Sequence, residues 1–181
     1  MKSLKKFLAM LLLLCMAVST LAGMDADDIL SADLPVAYGD AQFRQRVIER
    51  TNGERSPVGL VLSGGSARAF AHIGVLKYLE EQDIVVDFII SNSMGSIVGL
   101  MYAAGLSPDQ ILESITGVSI QSLFDTTLPL QGGFLDSARF LAKVASILGP
   151  DLKLENLPIP IIVINEDLVT KRQIHISEGD Y

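Results

Sequence analysis

The hydrophobic pattern of this 181-residue chain changes character at Val58. From there apolar runs alternate with glycine-rich turns in the order strand, loop, helix, strand, tight turn, helix. "VGLVL" is a short apolar strand, "SGGSAR" a loop, and "AFAHIGVLKYLEEQ" a helix with Phe70, Ile73, Leu76 and Leu79 at helical spacing. "IVVDFII" reads as a second buried strand rich in β-branched residues, and "MGSIVGLMYAAG" as a helix apolar nearly all round. Gly105 ends that helix. "SPDQ" then starts a third, with Ser107 as cap, Pro108 at the first helical position and Gln110 closing a capping box. Ile111, Leu112 and Ile115 give it one apolar face. Later, "IPIIVIN" is a third strand, and "RQIHIS" alternates as a strand with an exposed face should. Two strands joined through a helix run parallel with a right-handed crossover. The pattern predicts a three-layer α/β/α domain over residues 58–181 with a mainly parallel central sheet.

Before Val58 the pattern is weaker. "DADDILSADLPVAYGD" is acidic and loop-like. "AQFRQRVIER" is a short amphipathic helix with Phe43, Val47 and Ile48 on one side and Asp40 available as its cap. "TNGERSP" supplies breakers, so residues 24–57 form a lead-in segment. Residues 1–23 have a different composition: Lys2, Lys5 and Lys6, an uncharged run of 12 residues from Phe7 to Val18, then small residues up to Gly23. That order is an export signal, and the run is short of the ~20 residues a membrane-crossing helix needs. It predicts an exported protein, bound for a periplasm, an outer membrane or the exterior of the cell.

Cleavage changes the charge and the available chemistry. It removes three lysines and no acid, taking the net charge from −7 to −10. So acidic a surface excludes nucleic acid as a partner and purely electrostatic docking on anionic lipid; any membrane contact has to be apolar or local. Cys15, the only cysteine, leaves with the leader, which removes thiol and disulfide chemistry. Two histidines without a cysteine give no metal site, and nothing in the chain calls for a cofactor.

The two turns after Val58 sit where such folds place their chemistry, at the C-terminal ends of parallel strands. The first, Ser63 to Ala69, opens onto a helix N-terminus, where free N–H groups favour a phosphate or the oxyanion of acyl transfer. The Lys-Ser/Thr ending of a P-loop is missing. The second turn places Ser93 between strand and helix, flanked by the small residues Ser91 and Gly95, as in a nucleophile elbow. A triad base would be a histidine after Ser93. Only His175 qualifies, and its alternation with Ile174 and Ile176 makes it a solvent-facing strand residue. His72 precedes the elbow and reads as well as a packing residue.

"LVLSGGSARAFAHIGVLKYLEE" followed by "DFIISNSMGSIVGLMYAAGLSPDQI" resembles the bacterial, exported members of the patatin-like phospholipase family. The later "EDLVTKRQIHISEGD" is similar to the strand pair those proteins carry. The resemblance implies a three-layer fold and lipid acyl-ester hydrolysis by a Ser-Asp dyad without histidine. It implies a lipid or phospholipid substrate, met at a membrane surface. The family's oxyanion motif, Gly-Gly-Gly-x-Arg/Lys-Gly, falls on Gly64, Gly65, Ser66, Ala67, Arg68 and Ala69. Its Gly-x-Ser-x-Gly elbow falls on Ser91, Asn92, Ser93, Met94 and Gly95, which makes Ser93 the nucleophile. Arg68 is expected to brace the loop against an acidic group, through its fixed fork of donors.

Three family glycines are replaced, by Ser66, Ala69 and Ser91. Each replacement still donates its backbone N–H, and strain follows only where positive φ is required. No Asp here is followed by Gly, so none of Asp109, Asp125, Asp136, Asp151, Asp167 and Asp180 matches the family's Asp-Gly-Gly/Ala base. The base is expected beyond Tyr181, in a longer protein of which this is the N-terminal part, its sheet left with a bare edge and face. An alternative reading is a catalytically inactive lipid-binding module. Residues 126–149 read as a loop and helix packed on the core, or as a lipid-contacting lid.

Overall fold

The computed structural model of the protein describes residues 35–116, 125–126, 135–136, 138–149 and 151–180. The leader and the acidic start of the lead-in lie outside the described residues. Five strands form one sheet: β1 (Val36–Tyr38), β2 (Gly59–Leu62), β3 (Phe88–Asn92), β6 (Ile161–Asp167) and β7 (Arg172–Ile176), in the order β1-β7-β6-β3-β2. Three of the four pairings are parallel, and only β6 and β7 run antiparallel. The short strands β4 (Asp125–Thr126) and β5 (Leu135–Asp136) pair separately. The helices are α1 (Asp40–Thr51), α2 (Ala71–Glu81), α3 (Met94–Ala103), α4 (Pro108–Ile115) and α5 (Ala138–Leu148). Among the described residues no helix is long and apolar enough to cross a membrane.

The main core lies on one sheet face, where Leu62, Ile89 and Ile161 meet Ile73 and Leu76 of α2, Val98 and Met101 of α3, and Ile111 of α4. Alternation turns Phe88 to the other face, where α1 lays Phe43 against it with ring centroids 5.9 Å apart, edge to face. These are the three expected layers. Helix α3 is apolar all round because it is buried between sheet and helices, with Val98 and Ala103 fully covered. The capping box read at Ser107 is present in both directions, and Pro108 stands in the first turn. From α5, Val144 is buried and Ile147 and Leu148 reach the core, so this part of 126–149 packs as a helix. Leu128, Leu130 and Phe134 lie outside the described residues.

Four local expectations need correction. The strand read in "IVVDFII" starts only at Phe88, while Ile84 and Val85 are exposed. The break is Asp87: its buried carboxylate takes a two-pronged bond from Arg55 at 2.6 and 2.8 Å and the Val58 N–H at 2.7 Å, which locks the approach to β3. Gly39, at φ 79, caps α1, and Asp40 instead falls in its first turn. Ile48 is exposed, because the buried face of α1 runs through Val47 and Thr51. Finally, the loop-like lead-in contains β1, which pairs with β7 from Val36↔Ile174 to Tyr38↔Ile176. Strand β7 is thereby interior, and His175 is half-buried beside Gln173 Oε1 at 3.2 Å. Arg46 and Arg50 of α1 donate to the carbonyls of Leu157 and Pro158, so the lead-in from residue 35 belongs to the same compact unit as the sheet.

Candidate active site

Strands β2 and β3 are parallel neighbours, so the turns that leave their C-terminal ends emerge side by side. Gly64 and Ser93 touch. A Cβ added to Gly64 would stand 2.7 Å from Ser93 Cβ and 3.2 Å from Ser93 Oγ. The loop therefore approaches the serine to a distance that only glycine permits.

Ser93 has φ 51 and ψ −132, a left-handed conformation that a non-glycine residue adopts at a cost of about 1–3 kcal/mol. Strain at this residue is what a sharp strand-to-helix elbow demands, and it leaves the side chain exposed at the apex. Ser93 also caps α3: its carbonyl accepts the Ser96 N–H at 2.9 Å, and the helix dipole points its positive end at the hydroxyl. On the inner side of the elbow Gly95 is obligatory. A Cβ there would lie 2.4 Å from Leu62 O and 2.5 Å from Ser63 O. Met94 follows Ser93 half-buried, and exposed Asn92 donates from Nδ2 to Ile164 O at 3.2 Å, tying the elbow to β6.

The first loop turns through Gly65 (φ 142) into a 3-10 turn at Ser66–Phe70. Ser66 opens that turn, so its N–H has no partner within it and is free to face an anion. Of the three replaced glycines, only Ser66 sits at positive φ, at 53. Ala69 is buried and Ser91 lies in β3 with Oγ donating to Ile162 O at 3.2 Å, both at angles any residue reaches. The loop geometry is thus kept with one strained substitution rather than three.

The brace expected from Arg68 is not formed: among the described residues its side chain bonds no carboxylate, because it projects outward from the 3-10 turn into solvent. His72 braces the loop instead. Its Nε2 lies 2.9 Å from Ser63 O, linking the first turn of α2 to the residue before Gly64. The spacing held a clue, since a histidine nine residues after Ser63 falls where the helix turns back over the strand end.

No carboxylate partners Ser93 among the described residues. Asp109 pairs with Lys77 at 2.7 Å. Asp167 is held below the usual carboxylate range by Thr170 Oγ1–H and the Val169 N–H, within its own turn. Asp180 pairs with Lys153 through the backbone only, and its side chain, like that of Asp151, is exposed. His175 stands two strands from β3 and bonds Gln173. No group of three or more metal-ligating side chains occurs among the described residues.

The model of the patatin-like phospholipase family matches residues 60–178, from β2 through β7. The chain belongs to the patatin-like phospholipase family. Its relatives include uncharacterized NTE family proteins of Mycobacterium bovis and Mycobacterium tuberculosis, each 35% identical over 133 residues, which is 72% of this chain and 36% of theirs. The human patatin-like phospholipase domain-containing protein 6 is 34% identical over 118 residues, 61% of this chain and 8% of that protein. A lysophospholipase of Aspergillus fumigatus is 59% identical over 46 residues, 25% of this chain. The chain thus spans about a third of the length of its mycobacterial relatives. Both patatin-like turns fall inside the matched residues.

Proposed function

We propose that the protein is an exported serine acyl hydrolase that cleaves acyl esters of phospholipids or related lipids. The observation that carries this reading is the contact of Gly64 with Ser93, a strained serine at φ 51. Ser93 Oγ attacks the acyl carbonyl carbon and gives its proton to a carboxylate base. Backbone N–H groups around Gly65 and Ser66 hold the tetrahedral oxyanion. Collapse expels the alcohol, which takes up that proton, and water then releases the fatty acid by the reverse arrangement. The base is the aspartate of a Ser-Asp dyad, contributed from outside the described residues. The leader, with its three lysines and apolar run, supports export.

One observation favours a second reading, an inactive lipid-binding module: Ser66 holds the oxyanion loop at a positive φ that glycine would adopt freely. Labelling with a fluorophosphonate separates the two. Labelling of the protein that vanishes in Ser93→Ala is expected; a folded protein that does not react supports the inactive module.

A further inference from the structure

The two most exposed large hydrophobic side chains among the described residues are adjacent. Leu168 is 77% and Val169 90% exposed, and both stand at the tip of the turn between β6 and β7. Nothing in the catalytic reading uses them.

Their position is set by the sheet. Asn92, next to Ser93, is level with Ile164 of the parallel strand β6, which runs three residues further before turning. At 3.3 Å per residue the tip stands about 10 Å beyond the end of β3, on the side where Ser93 is presented. The turn is well fixed. Asp167 accepts the Val169 N–H at 3.0 Å, the Thr170 hydroxyl at 2.6 Å and, through its carbonyl, the Lys171 N–H at 2.7 Å. Two adjacent apolar side chains are therefore held out in water by a hydrogen-bonded turn.

Between tip and elbow lies a groove of about 280 Å³ lined by Asn92, Ile164, Asn165, Glu166, Lys171 and Gln173. Glu166 and Lys171 form no ion pair among the described residues, so the groove offers one charge of each sign. Two side chains are far too little for a protein interface, which needs about 800 Å² per partner, but they suffice to enter a lipid interface. The net charge, −7 for the full chain and −10 without residues 1–23, repels an anionic surface, whereas paired opposite charges suit a zwitterionic headgroup.

We propose that the Leu168–Val169 turn is a membrane-seating tip that enters the interface of a zwitterionic phospholipid surface and brings Ser93 down onto it. The purpose rests on the lipid-hydrolase reading, but the docking does not depend on catalysis. The chain has no tryptophan, so a single one is a clean reporter. Leu168→Trp is expected to shift its emission to the blue on phosphatidylcholine vesicles. Tyr78→Trp, 60% exposed near the C-terminal end of α2 at the opposite end of the sheet, is not. The double variant Leu168→Ser, Val169→Ser is expected to lose roughly tenfold or more in vesicle co-sedimentation. An unshifted Leu168→Trp, an equal shift at Tyr78→Trp, or tighter binding when anionic lipid is added overturns the proposal. In a Ser93→Ala background docking persists while hydrolysis stops; hydrolysis that continues refutes the catalytic reading and leaves the tip standing.

Discussion

The imidazole of His72 lies 2.9 Å from the carbonyl oxygen of Ser63, one residue before the glycine that touches Ser93. The bond ties the first turn of α2 to the glycine loop that lies against Ser93. His72→Leu removes the donor and is expected to slow fluorophosphonate labelling about tenfold, the loss of one positioning hydrogen bond. His72→Gln offers an amide N–H at a similar reach and is expected to recover most of the rate. Equal loss in both variants would show that helix packing, not the bond, is what matters.

Gly95 is expected to tolerate no side chain. The Cβ of Gly95→Ala would meet two backbone carbonyls at 2.4 and 2.5 Å, and neither can swing aside as a flexible side chain can. Overpacking of this kind costs about 3 kcal/mol, read as a lower urea midpoint together with lost labelling.

Ser66 offers the opposite case. At φ 53 it carries strain that glycine lacks, so Ser66→Gly is expected to raise stability by about 1 kcal/mol, visible as an increase in Tm. Labelling should hold or quicken. A lower Tm would mean that the serine side chain makes a stabilising contact larger than its strain.

Asp87 gives the fold a pH dependence. The Arg55 hydrogen bond, opposed by burial and helped by the Val58 N–H, holds its carboxyl below the usual range. A carboxylate with a lowered folded pKa contributes stability that is fully present above the unfolded aspartate value of about 3.9 and lost as pH falls through the folded one. Arg55→Ala is expected to cost about 2 kcal/mol at pH 7 by leaving that buried charge unpaired, and to shift acid unfolding to higher pH. Urea midpoints at neutral and acidic pH test both parts. An acid transition that stays in place would exclude this pair as the titrating element.

What could be read from the sequence follows from how local each signal is. Helix α4 was legible because Ser107, Pro108 and Gln110 lie within four residues and cap whatever follows. Ser93 was legible because an apolar strand, a small-residue turn and an apolar helix adjoin it. Strand β1 was not. Its three residues lie between Pro35 and Gly39 and become a strand only through partners about 138 residues away, at Ile174 to Ile176. The outward course of Arg68 is not legible, because a motif gives a position in a loop but not the direction of a side chain. The role of His72 is not legible, because its partner is a backbone carbonyl, which leaves no mark on composition. Ile48 is apolar and so reads as part of the buried face, but a helix turns about 100° per residue, and burying Val47 carries its neighbour outward.

The long span between β1 and β7 governs the order in which the sheet can be completed. Strands β2, β3 and β6 and the helices between them, which hold the elbow and the glycine loop, are all present once the chain has been made as far as Asp167. Val36–Tyr38 then still waits for Arg172–Ile176, and the Ser177 hydroxyl closes on Tyr38 O across 139 residues. Closure over so large a separation is slow. During synthesis the half that carries Ser93 assembles first, and the opposite margin is laced shut last, by the two segments nearest the ends of the described fold.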